Sequence, residues 1–451
     1  MSVRKDLENI FLAGVERVAP ESLIKESLFI KGSLLSIRHF GRDLQYDLSS
    51  YKAVYVLGFG KAACPMAAAL EEILKEKLTR GIVVTKYGFS SPLKKIKVIE
   101  AGHPVPDEES LQAASEISAL AEEADDETLV FVLVSGGGSS LLALPAAFGP
   151  VPLSLDDKQR TTQLLLESGA DIHEVNCVRK HCSGIKGGRL AQKIFPAPFV
   201  SLILSDVVGD DLRSIASGPV IGDDSTYAEA LSIVERYGLK KRLPSSVSVL
   251  LKSGADGRAE ETPKSGDPIF RRSKNILLGS NIISLQACCK KALDSGYHAM
   301  ILSSRITGEA REAARFFYGL GRDAQEHGLL GEKPFCLIAG GETTVTVKGT
   351  GQGGRNQEMA LAFLEEMRKE GIINPSLFFL SAATDGNDGP TDAAGAFADE
   401  EILKAALGNK LQPGDFLREN NAYHFFSESG GLFKTGPTQT NVCDIQILIV
   451  T

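Results

Sequence analysis

The sequence offers no cysteine framework, no surplus of positive charge and no long apolar run, and each gap removes a class of protein. Its seven cysteines are odd in number and scattered over 451 residues, unlike the paired spacing of a small disulfide scaffold. A net charge of -8 argues against nonspecific nucleic-acid binding, which draws on clustered surplus Lys and Arg. A small anionic ligand still fits, because a local cationic pocket can sit inside an acidic protein. No stretch approaches the ~18–20 apolar residues of a membrane-spanning helix. The first residues, MSVRKDLENIFLAGVERV, lack the unbroken apolar core of a secretion signal and read as an amphipathic surface helix. The expectation is a cytoplasmic protein with small-molecule partners, no nucleic acid and no membrane. Hydrophobic content of 43% and charged content of 24% allow a sizeable core, and the length suits two or three domains.

Apolar strand-like runs alternate with helix-like segments, the pattern of an α/β protein with largely parallel sheets. The first set is AVYVLG (53–58), GIVVTK (81–86), IKVIEA (96–101), LVFVLV (129–134) and VSLILS (200–205). The second is NILLG (275–279), HAMILS (298–303), FCLIAG (335–340), TTVTVK (343–348), SLFFLS (376–381) and DIQILIV (444–450). Between them lies a charged segment rich in Pro, Ser and Gly, which places a boundary within residues 240–275. Two α/β domains are expected, residues 1–250 and 251–451.

The unusual motifs share a position just past the carboxyl end of an apolar run, the edge of an open parallel sheet where ligands bind. GFGK follows AVYVL, and its Gly58-x-Gly60-x-x-Ala63 fits a relaxed dinucleotide fingerprint. That reading wants an acid at the end of the next strand, which instead ends in Thr85-Lys86. Lys61 opens the following helix, where a cation works against the helix dipole, so an anionic partner would explain it. Ser135-Gly136-Gly137-Gly138-Ser139-Ser140 could gather backbone N–H groups and hydroxyls around phosphate oxygens, although it is not a Walker A loop. The plainer alternative is a tight strand-to-helix turn.

From Val175 to Ser205 there is no Asp or Glu, while Arg179, Lys180, Lys186, Arg189 and Lys193 all occur. The run is either a solvated basic face or, with its glycine breaks, an anion pocket. His173, Cys177 and His181 share a helix face beside Cys182 and could be soft zinc ligands, but these cations would repel the metal. Asp206, in SDVVGDD, could bind Mg²⁺, accept a proton or cap a helix. Arg355 stands between a glycine loop and a helix, where a guanidinium could bind phosphate or carboxylate. Asp385, Asp388 and Asp392 fall in a glycine-rich loop whose spacing is not that of an EF-hand.

Taken together, GFGKAA, VVTKYG, EAGHPVPDE, LVSGGGSSLL, NCVRKHCSGIKGGRLA, LSDVVGDDLRSIASGP, GGETTVTVKGTGQGGRNQE, TDGNDGPTDAAGA and TGPTQTNVCD resemble the class II glycerate 2-kinases with a MOFRL C-terminal domain. Some members carry hydroxypyruvate reductase labels. The motifs run in order from residue 55 or so to the C-terminus, and the first ~50 residues carry none. The resemblance implies a Rossmann-like N-terminal domain, a MOFRL-type C-terminal α/β domain and a substrate cleft between them. It implies ATP- and Mg²⁺-dependent phosphorylation of D-glycerate at its 2-hydroxyl, giving 2-phosphoglycerate.

On that reading Lys61, Arg355 and Asp206 are the catalytic candidates. Gly58, Gly60 and Ser135 to Ser140 would hold phosphate or nucleotide. Arg179, Lys180, Lys186, Asn356 and Glu342 would hold substrate, with Asp206 and Asp385 as metal ligands. Homodimerisation is left open. Two alternatives remain at this stage: an NAD(P)H-dependent hydroxypyruvate reductase and a non-catalytic sugar-phosphate-binding regulatory module.

Overall fold

The apolar runs form strands because their side chains can be buried on both faces of a sheet. The computed structural model describes residues 2–39, 42–371 and 376–451. They divide into one unit of Leu23–Leu278 and a second of the first 22 residues with Gly279–Thr451.

The first unit opens with an antiparallel meander of β1 (Leu28–Lys31), β2 (Leu34–His39) and β3 (Arg42–Asp47). Its main sheet uses β4 (Ala53–Phe59), β5 (Arg80–Lys86), β6 (Ile96–Ala101), β7 (Thr128–Val134), β8 (Phe199–Leu204) and β9 (Ser273–Gly279). The order is β6-β5-β4-β7-β8-β9, and β4/β5, β5/β6, β4/β7 and β7/β8 pair in parallel. Every residue of β7 and β8 is buried. Leu57, Phe59, Val130 and Val132 share a core with Ile117 and Leu120 of helix Glu108–Glu122. That helix starts at Asp107, whose side chain and Ser110 form a capping box that satisfies the first N–H groups. A second core gathers Leu164, Val178, Tyr227 and Leu250, each from a different helix.

The second unit contains β10 (His298–Ile306), β11 (Phe335–Gly341), β12 (Leu377–Ala383), β13 (Gly395–Asp399), β14 (Leu432–Phe433) and β15 (Asp444–Val450). The order is β10-β11-β15-β12-β13-β14. The α/β class therefore holds in both units, but this second sheet is mixed rather than largely parallel. Only β10/β11 is a parallel pair, because β15 returns antiparallel between β11 and β12 and β13 follows β12 as a hairpin partner. Helices Ala310–His327 and Arg355–Lys369 pack on one face through Phe317, Phe363 and Phe379.

Two sequence expectations differ from this arrangement. The expected division at 250/251 and the compact units disagree. Residues 251–278 finish helix Ser245–Ala255 and supply β9 to the first sheet, so that segment is packed rather than a linker. Conversely, helix Val3–Arg17 belongs with the second unit, because Leu7, Ile10 and Phe11 bury against Leu285 and Cys288 of helix Asn281–Asp294. The run TTVTVK is no strand. Thr344 N–H donates to the Gly308 carbonyl at 2.8 Å, Thr346 N–H to Glu309 at 2.7 Å and Lys348 N–H to the Asn420 amide oxygen at 2.8 Å, while Val347 is exposed. Side chains and a loop take the donors that a neighbouring strand would otherwise need.

Candidate active site

In the first sheet β5 and β6 lie on one side of β4, while β7 and β8 lie on the other. The strand order thus reverses between β4 and β7, the place where open α/β sheets leave a crevice for ligands. GFGK and SGGGSS are the loops that leave those two strands.

The two loops interlock. Lys61 N–H donates to the Gly136 carbonyl at 2.8 Å, Ala62 N–H to Ser135 Oγ at 3.0 Å, and Ser135 N–H to the Phe59 carbonyl at 3.1 Å. Several of the expected phosphate-binding residues are occupied by this packing. Gly58 lies inside β4, where a Cβ would meet Val83 at 2.7 Å, and a Cβ on Gly60 would stand 2.2 Å from Ser135 Oγ. A Cβ on Gly138 would press on Ala216 and Phe59 at 2.9 Å. Ser139 Oγ meets Ser217 Oγ at 2.8 Å, and Ser140 Oγ donates to the Gly137 carbonyl at 3.2 Å.

Gly136 and Gly137 differ, since polar side chains crowd them. A Cβ on Gly136 would lie 2.1 Å from Asp206 Oδ2. Gly137 has φ +80, a conformation that glycine adopts without strain. A Cβ on it would lie 3.0 Å from His103 Nε2 and 3.3 Å from Lys61 Cγ. Lys61, His103 and Asp206, which follow β4, β6 and β8, therefore meet at the backbone of the loop that follows β7. The motif EAGHPVPDE stood out in the sequence, but His103 within it, two residues past β6, was given no role there.

The basic segment splits. Lys180 Nζ donates to Asp223 Oδ1 at 3.2 Å, and both side chains are buried. Burial would raise the Asp223 carboxyl, but Lys180 and the Ser225 hydroxyl hold it below its ordinary value. Lys180 is thus committed to a partner, at a distance from the role expected of it. Lys186 is 1% exposed and donates to the Ser139 and Leu142 carbonyls at 2.7 and 3.0 Å. Burial, with Arg179 and Lys158 nearby, pushes its amine well below its usual value. Arg179 and Lys186 line a cavity together with Ser139 and Ser140, and Lys180 does not. His181, considered above as a zinc ligand, bonds to the Cys177 carbonyl and to Glu261.

In the second unit Arg355 is the first residue of its helix. Its Nε and Nη2 donate to the two oxygens of Asp444 at 2.6 and 3.0 Å, and Nη1 donates to Glu342 at 2.7 Å. Burial alone would lower the guanidinium pKa, but Asp444 and then Glu342 outweigh it and raise it. Asn356 is wholly buried, with its amide donating to Asp388 at 3.2 Å and its oxygen accepting from Ser381 at 2.6 Å. Asp388 also accepts the Asn356 and Gln357 backbone N–H groups at 3.1 and 2.8 Å, capping the helix from a neighbouring loop. Burial pushes its carboxyl up to about 7. Asp385 accepts the Asn387 N–H at 3.0 Å, an Asx-type turn. Asp444, which holds Arg355, was legible only as the start of a strand.

Residues 6–252 match a domain of unknown function, DUF4147, and residues 335–444 match the MOFRL family. A glycerate 2-kinase from Pyrococcus horikoshii is 44% identical, covering 88% of this chain and 87% of its own. A relative from Agrobacterium vitis that carries a hydroxypyruvate reductase name is 40% identical, covering 88% of this chain and 86% of its own. A crystal structure of a glycerate kinase from Thermotoga maritima, 38% identical, matches with a TM-score of 0.85 over 100% of both chains. The ordered motifs, both domain matches and the full-length structural likeness agree: the chain is an enzyme, a kinase, and it belongs to the glycerate kinase family with a MOFRL domain.

Proposed function

We propose that this kinase transfers the γ-phosphoryl group of ATP to the 2-hydroxyl of D-glycerate, giving 2-phosphoglycerate and ADP. The observation that carries the reading is the meeting of Lys61, His103 and Asp206 at Gly136 and Gly137, at the reversal of the strand order. Phosphoryl transfer needs in-line positioning and charge neutralisation more than covalent chemistry, and this group offers a cation, a carboxylate and close access to backbone.

In the proposed reaction the glycerate 2-oxygen bonds to the γ-phosphorus as the bridging bond to ADP breaks. The hydroxyl proton passes late to Asp206, which first orients that hydroxyl. Lys61 offsets the negative charge on the phosphoryl oxygens, a contact worth more in a water-poor site than in bulk. Arg355 has five N–H groups and spends three on Asp444 and Glu342. The other two are proposed to bind an anion. Glu342 and Asn356 would then act through Arg355 and its helix rather than by touching glycerate.

Among the described residues no group of three or more His, Cys, Asp or Glu side chains is arranged to hold a metal. Mg²⁺ requires no such cage, because one or two carboxylates and the phosphates of a substrate can hold it. Asp206, placed over Gly136, fits that role. Bound there, Mg²⁺ would supply further charge neutralisation on the phosphates. No helix among the described residues is long and apolar enough to cross a membrane, and a cytoplasmic location is proposed.

The test is a paired assay with purified protein: D-glycerate with ATP and Mg²⁺, and hydroxypyruvate with NADH or NADPH. ADP and 2-phosphoglycerate are the expected products. Oxidation of the nicotinamide without phosphoryl transfer would overturn the reading in favour of the reductase.

A further inference from the structure

A cavity of about 590 Å³ lies wholly within the first unit. Ser139 and Ser140 of the glycine loop line it, as do Pro104, Val105 and Pro106, which follow His103 in the chain. Three cations line it too: Lys158, Arg179 and Lys186. Lys158 Nζ donates to the Leu144 and Cys182 carbonyls at 3.3 and 3.4 Å. None of the three has a carboxylate of a described residue within ion-pair distance. Glu167, which also lines the cavity, is instead paired with Arg242 at 3.2 Å.

Such a cavity is electrostatically incomplete. Charges taken out of water need a partner, and like charges placed together raise one another's cost. Burial, and after it the neighbouring Arg179, pushes Lys158 down to about 7, with Cys182 opposing; burial alone pushes Arg179 to about 10. A guanidinium does not give up its proton at neutral pH, so the cavity stays cationic. An anion would relieve it.

Size and lining narrow the choice of anion. Small-molecule sites typically enclose ~300–1,000 Å³, and this one is far larger than a three-carbon acid fills. Val105 and Leu166 also line it, and they are 63% and 61% exposed. Large apolar side chains held open beside cations suit a planar base with a phosphate chain.

We infer that this cavity is the nucleotide pocket, with the phosphates against Lys158, Arg179, Lys186 and the Ser139–Ser140 end of the glycine loop, and the base against Val105 and Leu166. The inference rests on the kinase reading above and assigns the nucleotide, not glycerate, to this cavity.

The experiment measures ADP affinity by calorimetry on the full chain, together with the KM for glycerate. It compares wild type with Arg179→Gln, which removes a charge, and Thr162→Trp, which fills the cavity from a half-buried position. ADP affinity is expected to fall at least about tenfold in each, while the KM for glycerate stays within about threefold. If Arg179→Gln does not fold, Thr162→Trp carries the test. Wild-type ADP affinity in the folded variants would overturn the assignment, and a raised KM for glycerate beside it would give the cavity to glycerate. Phosphoryl transfer by the wild type alongside that result would sink the pocket and spare the kinase. No phosphoryl transfer at all would sink the kinase reading itself.

Discussion

Arg355 and Asp444 form a two-bond fork at 2.6 and 3.0 Å in which the carboxylate is fully buried. Buried carboxylates are costly without a partner, so this pair couples a candidate catalytic residue to the integrity of the second unit.

Arg355→Ala is therefore expected to lower the unfolding free energy by about 3–5 kcal/mol as well as to lower turnover, because it strands Asp444. Arg355→Ala with Asp444→Asn should recover much of the stability and little of the activity. Denaturant unfolding of both variants checks this; a single variant as stable as wild type would show that Asp444 is compensated elsewhere.

Lys61→Ala should behave differently. The backbone N–H of Lys61, not its side chain, holds the Gly136 carbonyl. Turnover should fall ~10²–10³-fold with the unfolding midpoint nearly unchanged. Steady-state kinetics and a melting curve on one preparation decide it, and turnover near wild type would remove Lys61 from the catalytic set.

Asp206 can be probed from two directions. Asp206→Asn keeps the shape and removes the charge. If the carboxylate orients the hydroxyl and takes its proton, turnover falls with the Mg²⁺ requirement little changed; if it is chiefly a metal ligand, extra Mg²⁺ or Mn²⁺ restores part of the rate. Gly136→Ala should reproduce the loss with the carboxylate still present, since its Cβ would stand 2.1 Å from Asp206 Oδ2. Full activity in both variants would sink both roles.

Asp388 supplies a pH dependence. Its folded value of about 7 lies above the ordinary 3.8. A raised carboxyl binds its proton more tightly in the folded state, so its contribution is fully present below pH 4 or so. It is lost as pH rises through about 7, and flat beyond that. Asp388→Asn also loses an acceptor for the Gln357 N–H, a cost that does not vary with pH. The readout is therefore the difference in melting temperature between wild type and Asp388→Asn, plotted from pH 4 to pH 8. A flat difference would mean that Asp388 titrates at its ordinary value.

Much of this protein is local and was legible. The runs around β4, β5, β7 and β8 are apolar enough to be buried on both sides, and a chain rule places their loops at one sheet edge. GFGK, SGGGSS and SDVVGDD were found for that reason. Tertiary structure decided which members of each motif face one another. Gly58, Gly60 and Gly138 turned out to serve packing, while Gly136 and Gly137 admit Asp206, His103 and Lys61. Likewise Arg179 and Lys180 are neighbours in sequence but point into different surroundings, a cavity for one and Asp223 for the other. The mixed second sheet, with β15 between β11 and β12, and the docking of residues 3–17 on helix Asn281–Asp294 join segments far apart in the chain. Periodicity and turn chemistry act over a few residues, so they determine strands, helices and loop positions. Which distant carboxylate meets which cation depends on burial and packing that exist only once the chain has folded.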